Sequence, residues 1–295
     1  MMFFTALLSV TALFAEKPDL TKQILLDQAG FSCNQIDGKW GAKSARALEL
    51  YPGKEEDFKH HAYLFRTWTV TEAELESLVY LPADAAEKAK LDSLGYESIA
   101  EMYAERGHLS IGALKRLNPQ VNFNLITAGV KIKLPDFPLM DDDLDAWPRS
   151  RSSRPNRPVA KEVRVSLSRL EITVVGPDGT LLAAFPCSIA RDKAKIPPQG
   201  VLKVTTTIAR PNYTYTPDHT EPGKKVSRHI LPPGPNCPVG IAWIGLNLPG
   251  YGIHGTPRPD SIGNAESHGC FRLANWNAAR LYALVKPGTP VYIDP

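Results

Sequence analysis

Most of the chain's 26 prolines fall after residue 130. Proline fixes φ and removes a backbone donor, so a helical bundle cannot carry that density, whereas extended segments, turns and loops can. The C-terminal half is therefore predicted to be built on sheet, and its apolar residues fit. Val163, Val165 and Leu167 alternate with polar neighbours, and Leu170, Ile172 and Val174 resume after a change of phase near Ser168 that reads as a bulge. Gly176-Pro177-Asp178-Gly179 is a hairpin turn before a strand over Leu181–Ile189. Further strands are expected over Val201–Ile208 and Val291–Ile293, with loops over the sheet across Arg210–Pro238. Asn275 is placed to cap a helix from Trp276 to Val285, which Pro287-Gly288 ends.

The first half reads differently. Leu20, Ile24, Leu25 and Ala29 repeat at helical spacing, and a second short helix is expected from about Ala42 to Leu50, before Pro52. Tyr63, Phe65, Trp68 and Val70 have strand composition. Ile99, Met102 and Tyr103, then Ile111, Leu114 and Leu117, mark two helices ending at Asn118-Pro119, and Leu125–Leu134 closes as a strand. The stretch 138–158 carries Asp141, Asp142, Asp143 and Asp145, then Arg149, Arg151, Arg154 and Arg157 among serines and prolines. Such a composition buries too little apolar area to fold alone and reads as a solvated tether. The fold class is accordingly multi-domain: a leader over 1–15, a small helical N-terminal domain over 17–52, an α+β domain over 60–137, the linker 138–158, and a mainly β, sandwich-like domain over 159–295 are expected.

Met1–Ala15 has no charged residue and is strongly apolar, but it is shorter than the ~20 residues a bilayer span needs. It ends in Ala12-Leu13-Phe14-Ala15 before Glu16-Lys17-Pro18, as a signal peptide does, so export to the periplasm or cell wall without stable membrane insertion is expected. A formal charge of +3 and the lack of any basic run interleaved with aromatics exclude nucleic acid as a partner. The cysteines Cys33, Cys187, Cys237 and Cys270 form no CxxC pair.

The chemistry concentrates in Tyr251-Gly252-Ile253-His254-Gly255-Thr256 and Ser267-His268-Gly269-Cys270-Phe271-Arg272-Leu273. Acyl transfer on sulfur needs a thiolate, a base to make it, and donors for an oxyanion. A free thiol has a pKa near ~8.5, so an imidazole must help it ionise. His254 lies 16 residues before Cys270, enough for two neighbouring strand ends joined by a loop. His268 and Cys270 are two apart and share a face on extended backbone. Gly269 lets backbone amides approach a substrate oxygen. No acidic residue stands at triad-like spacing, which makes the Gly255 carbonyl the candidate to orient His254. Two plainer readings compete: a metal site of His254, His268 and Cys270, with His229 or Asp260, and a buried structural cysteine beside surface histidines.

These two motifs, with Pro238-Val239-Gly240, Ile262-Gly263 and Gly288-Thr289-Pro290-Val291, resemble the L,D-transpeptidase (YkuD-type) catalytic domain over roughly Val159–Pro295. The resemblance implies a β-sandwich-like fold, Cys270 as nucleophile, His254 as base, and support of substrate or oxyanion by Arg272 and His268; Gly269 and Ser267 are further substrate-binding candidates, and no metal or cofactor is expected. It implies peptidoglycan stem peptides as substrate: a tetrapeptide is cut between its third and fourth residues, a thioester forms, and the acyl group passes to an amine of another stem. Some family members pass it to a lipoprotein, to water or to a free D-amino acid. A wall-binding scaffold with an idle catalytic domain is the alternative of another class. The segment from Ile24 to Leu48 resembles the three-helix peptidoglycan-binding domains, and Tyr96–Pro135 resembles a LysM glycan-binding module, in which Glu72–Ser93 stands in place of a short turn. Both imply wall glycan as a partner, with chemistry confined to the part after the linker.

One disulfide is expected, between Cys187 and Cys237, with two separate buried thiols as the alternative. Cys270 must stay free, Cys33 lies in another unit, and a bridge would pin the Pro-rich segment around Cys237 to the sheet.

Overall fold

The protein's structure, a computed structural model, describes residues 18–54, 64–141, 144, 159–217, 228–267 and 269–295. The expected leader over 1–15 and most of the expected linker over 138–158 lie outside these residues. Among the described residues no helix is long and apolar enough to cross a membrane.

The C-terminal half is one eight-stranded sheet. In chain order its strands are β3 (Glu162–Ser166), β4 (Glu171–Val175), β5 (Leu181–Pro186), β7 (Gly200–Ala209), β10 (Ala242–Leu246), β11 (Gly252–His254), β13 (Phe271–Arg272) and β14 (Pro290–Asp294). The short β6 (Ile189–Ala190) pairs with β12 (Ala265–Ser267), and β8 (Tyr213–Tyr215) with β9 (His229–Leu231). The eight run in the order β13, β11, β10, β7, β14, β3, β4, β5. Strand β7 joins two halves: residues 200–203 pair with β14, whereas residues from Val204 onward pair with β10. The expected sandwich is thus a single sheet curled at β7, because one ten-residue strand serves both halves. Val163, Val165, Ile172, Val174, Ile244, Ile253, Val291 and Ile293 fill the concave side.

Helix α7 (Asn275–Leu284) lies against β10 and β11. Asn275, Trp276, Asn277, Ala278, Ala279, Leu281 and Tyr282 are all buried, so the helix is covered on nearly every side. Asn275 is not the cap. Ala274 holds that position, and the Asn275 side chain turns into the core instead.

What covers α7 is the N-terminal half. Helices α1 (Pro18–Gln28) and α2 (Ala42–Leu50) are followed by β1 (Phe65–Thr69), the short α3 (Glu72–Glu76) and α4 (Ala85–Lys88), then α5 (Ile99–Arg106), α6 (Ile111–Leu117) and β2 (Lys131–Pro135). Strands β1 and β2 pair antiparallel. Ser98 and Ser110 cap α5 and α6 through their side chains.

The picture of units on a tether needs correction, because these parts pack into the eight-stranded sheet. Strand β5 ends the sheet, and its edge is closed by the turn after α1. Ser32 N donates to Ala184 O at 2.9 Å, and Ala184 N donates to Gly30 O at 3.0 Å. An unpaired edge is a liability, and this contact removes it. Gly30 permits the approach: its φ is +103°, and a Cβ there would come within 2.9 Å of Leu182 O. Arg46 on α2 forms a two-pronged ion pair with Glu171 on β4, at 2.8 and 3.0 Å. Asp27, Ser32 and His108 meet Asn277 and Arg280 of α7 in a buried polar cluster, and the His108 ring lies stacked between Phe137 and Trp276. Asp27 and His108 lie 81 residues apart, and their partners on α7 lie farther still along the chain.

Three smaller expectations also change. The phase change near Ser168 is the turn of the β3–β4 hairpin, closed by Ser166 opposite Glu171, rather than a bulge. The strand Leu181–Ile189 is interrupted at Cys187-Ser188, where the chain crosses to pair with Arg272. The disulfide is absent, since Cys187 and Cys237 are both free. Cys187 sits in the sheet core, whereas Cys237 packs with Leu94, Leu231 and Val239 in a separate cluster and directs its thiol at Pro211 O.

Candidate active site

Strand β11 lies between β10 and β13. It pairs antiparallel with β10, placing His254 opposite Trp243, and parallel with β13, placing His254 opposite Arg272. Trp243, His254 and Arg272 therefore form one row across three strands. The Trp243 and His254 rings stack with centroids 5.5 Å apart and planes 16° apart. Gly252 makes room for this, since a Cβ there would come within 2.6 Å of the Trp243 ring.

Cys270 stands just ahead of β13. Its Sγ lies 3.5 Å from Gly250 O, over the start of the strand that ends in His254. Gly269 has φ +147°, a conformation side chains rarely adopt, and this sets the bend that delivers Cys270 to β13. Burial pushes the Cys270 thiol above its ordinary value, with the Gly252 amide opposing in part.

His254 Nδ1 lies 2.6 Å from the Gly255 carbonyl oxygen. A carbonyl only accepts, so Nδ1 carries the hydrogen and Nε2 keeps its lone pair. Burial pulls the imidazole down to about 4, against the Gly255 bond and helped by the Arg272 charge. At neutral pH the site therefore holds an uncharged imidazole and an uncharged thiol.

Of the residues behind this pair, Ser188 was not singled out in the sequence and Asn275 only as a helix cap. Ser188 is fully buried; its backbone exchanges two 2.9 Å hydrogen bonds with Arg272, and its hydroxyl donates to Ser261 O and accepts from Gly263 N. Asn275 Oδ1 accepts from Ile241 N. It also lies so close to Gly255 and Gly240 that a Cβ on either would overlap it. His268 lies outside the described residues, and of Ser267 only the backbone in β12 is described. Among the described residues no three His, Cys, Asp or Glu side chains converge as a metal ion would require. Two clefts, of about 420 and 510 Å³, lie away from Cys270, in and beside the seam between the N-terminal helices and the sheet.

The curled sheet thus places Cys270, just ahead of β13, next to the parallel strand that ends in His254. Residues 160–293 match the YkuD family model, the L,D-transpeptidase catalytic domain. The chain is 46% identical over 63 residues to the L,D-transpeptidase-family protein YkuD of Bacillus licheniformis, an alignment covering 21% of this chain and 38% of that protein. It is 29% identical over 153 residues to YqjB of Bacillus subtilis, covering 50% and 77%. The chain thus spans less than two thirds of the first of these relatives. Among solved structures, L,D-transpeptidase 3 from Mycobacterium tuberculosis aligns with 47% of this chain and 62% of its own, at 20% identity and a TM-score of 0.37.

Proposed function

We propose that the protein is an exported peptidoglycan L,D-transpeptidase that works through a Cys270 thioester. The observation that carries this reading is the His254 geometry: Nδ1 is committed to Gly255 O, which leaves Nε2 as a base on the strand beside Cys270, within the matched domain. His254 Nε2 takes the thiol proton as sulfur bonds to the carbonyl carbon of the third stem residue. The amides of Gly269 and Cys270 hold the oxyanion, a term worth ~3 kcal/mol per donor. The imidazolium then gives its proton to the leaving D-alanine amine as the C–N bond breaks. An amine of a second stem attacks the thioester, His254 takes its proton, and sulfur leaves, closing a 3–3 cross-link. Arg272, one position from His254 across the sheet, serves the substrate or the oxyanion, together with Ser267 and His268. The resemblances of residues 17–52 and 60–137 to wall modules support a role for them in holding the enzyme on glycan.

Intact-mass measurement with a carbapenem tests the reading. A single adduct is expected on the full chain and none on Cys270→Ala; an adduct on both would remove Cys270 as the nucleophile.

A further inference from the structure

After His254 the chain forms a loop over residues 255–264 before β12, and the outer side of this loop is held by the N-terminal helical segment. Asn34, itself at φ +70°, donates from Nδ2 to Pro259 O at 2.7 Å. Lys43 on α2 donates from Nζ to Ile262 O at 2.5 Å. Gly263 receives the lysine: its φ is +96°, and a Cβ there would come within 2.8 Å of Lys43 Cε and Nζ. On its inner side the same loop is held by Ser188, through Ser261 O and Gly263 N. Two of the loop's carbonyls therefore take their partners from residues more than 200 positions away, outside the matched domain.

The histidine is reached from the same half of the chain. Asn275 underlies the Gly255 turn whose carbonyl orients His254, and Asn275 Nδ2 donates to Glu105 Oε1 on α5 at 2.9 Å. Glu105 also accepts from the Tyr96 hydroxyl at 3.0 Å. Without Glu105, the Asn275 amide would retain only Pro235 O, at 3.1 Å.

We infer that residues 18–137 complete the active site, with Asn34 and Lys43 positioning the loop that delivers Cys270 and Glu105 positioning, through Asn275, the turn that orients His254. This rests on the reading of Cys270 as nucleophile and His254 as base. All three are positioning residues, since none touches the reacting atoms. The alternative is that the N-terminal half only binds the wall and the contacts only glue the halves together.

The test uses the full chain and its Lys43→Met and Glu105→Ala variants, with Lys43→Arg and Glu105→Gln as conservative counterparts that keep a donor or an acceptor in place. Carbapenem adduct formation is followed by mass over a concentration series, giving the maximal rate constant and the half-saturating concentration separately. Circular dichroism reports the folded fraction. A displacement of about 1 Å at a reacting group can cost up to ~10²-fold. The expected result is a maximal rate constant lowered at least about tenfold in Lys43→Met and Glu105→Ala, with half-saturation little changed, and recovery in Lys43→Arg and Glu105→Gln. A purely structural role would reduce the fraction of protein acylated and leave the rate constant of the folded fraction alone. Wild-type rate constants in both variants, with Cys270 acylated in each, overturn the inference and leave the proposed function standing. No adduct on the wild-type chain, or one that survives Cys270→Ala, overturns the functional reading and the inference with it.

Discussion

His254 donates through Nδ1 to the carbonyl oxygen of its own neighbour, Gly255, at 2.6 Å, and this bond leaves Nε2 as the ring nitrogen with a lone pair for the proposed base. The proton it fixes cannot be shared with Cys270, so only Nε2 can accept the thiol proton. Replacing His254 with Ala should slow Cys270 acylation by about 10²–10⁴-fold at pH 7 with the fold retained. Stopped-flow or mass kinetics on the carbapenem reaction checks this; a variant within a few-fold of wild type would move the base elsewhere.

The same pair predicts a pH profile. With His254 held down to about 4 and the Cys270 thiol held above its ordinary value, the resting site is thiol and imidazole, not thiolate and imidazolium. Acylation should rise with pH through about 4, as Nε2 loses its proton, and then stay level to neutrality. Iodoacetamide, which needs thiolate, should alkylate Cys270 slowly at pH 6 and faster toward alkaline pH. A fast alkylation rate that does not change between pH 5 and 8 would indicate a preformed ion pair instead.

The thiols offer a check on the core. Cys33 is pushed up to about 12 and Cys237 to about 11 by burial, Cys187 is raised further still, and only Cys270 is partly exposed. Ellman's reagent should therefore react first with one thiol in the native protein, absent in Cys270→Ala, and with all four after unfolding without reductant. A count of two in the unfolded chain would restore the Cys187–Cys237 bridge.

The junction of the two halves should be costly to break. Burial opposes the charge on Asp27, yet His108 and Arg280 hold its carboxyl below the ordinary range. His108→Ala would leave that carboxylate without its 2.8 Å partner and open a gap between Phe137 and Trp276. A loss of roughly 3 kcal/mol is expected in urea unfolding. A chain begun at Val159 would expose Trp276 and the edge of β5, and should unfold at markedly lower urea. Equal midpoints for the full and shortened chains would show that the halves are independent.

These contacts explain what sequence could and could not disclose. His254 and Cys270 were legible because their glycines and paired histidines are local, and a 16-residue spacing is short enough to imply adjacent strands. The alternation Val163, Val165, then Ile172, Val174 likewise gave β3 and β4. Glu105 and Asn275 are 170 residues apart and Asp27 and His108 are 81 apart, so no periodicity connects them. A buried Asn, Asp or Glu has the same letter as an exposed one; only the partner brought in by the fold distinguishes them. Asn275 was read as a cap for that reason, when its amide serves the turn under His254.

Glu105 supplies the last prediction. Burial is the main cause that lifts its carboxyl from the ordinary 4.5 to about 7, with the hydrogen bonds from Asn275 and Tyr96 opposing and the Glu101 charge adding to the rise. The folded protein thus keeps a proton that the unfolded chain has already lost between pH 4.5 and 7. Stability from this group is fully present below about 4.5 and is lost as pH rises through 7. A displacement of that size corresponds to about 3 kcal/mol at most. Glu105→Gln cannot titrate, so its stability relative to wild type should improve as pH goes from 5 to 8. Taking the difference between the two proteins cancels groups common to both, including His254, whose lowered pKa gives the opposite slope. Urea midpoints for each protein at pH 5 and pH 8 provide the comparison. A difference that stays constant across that range would show that Glu105 keeps an ordinary pKa and carries its charge at the junction.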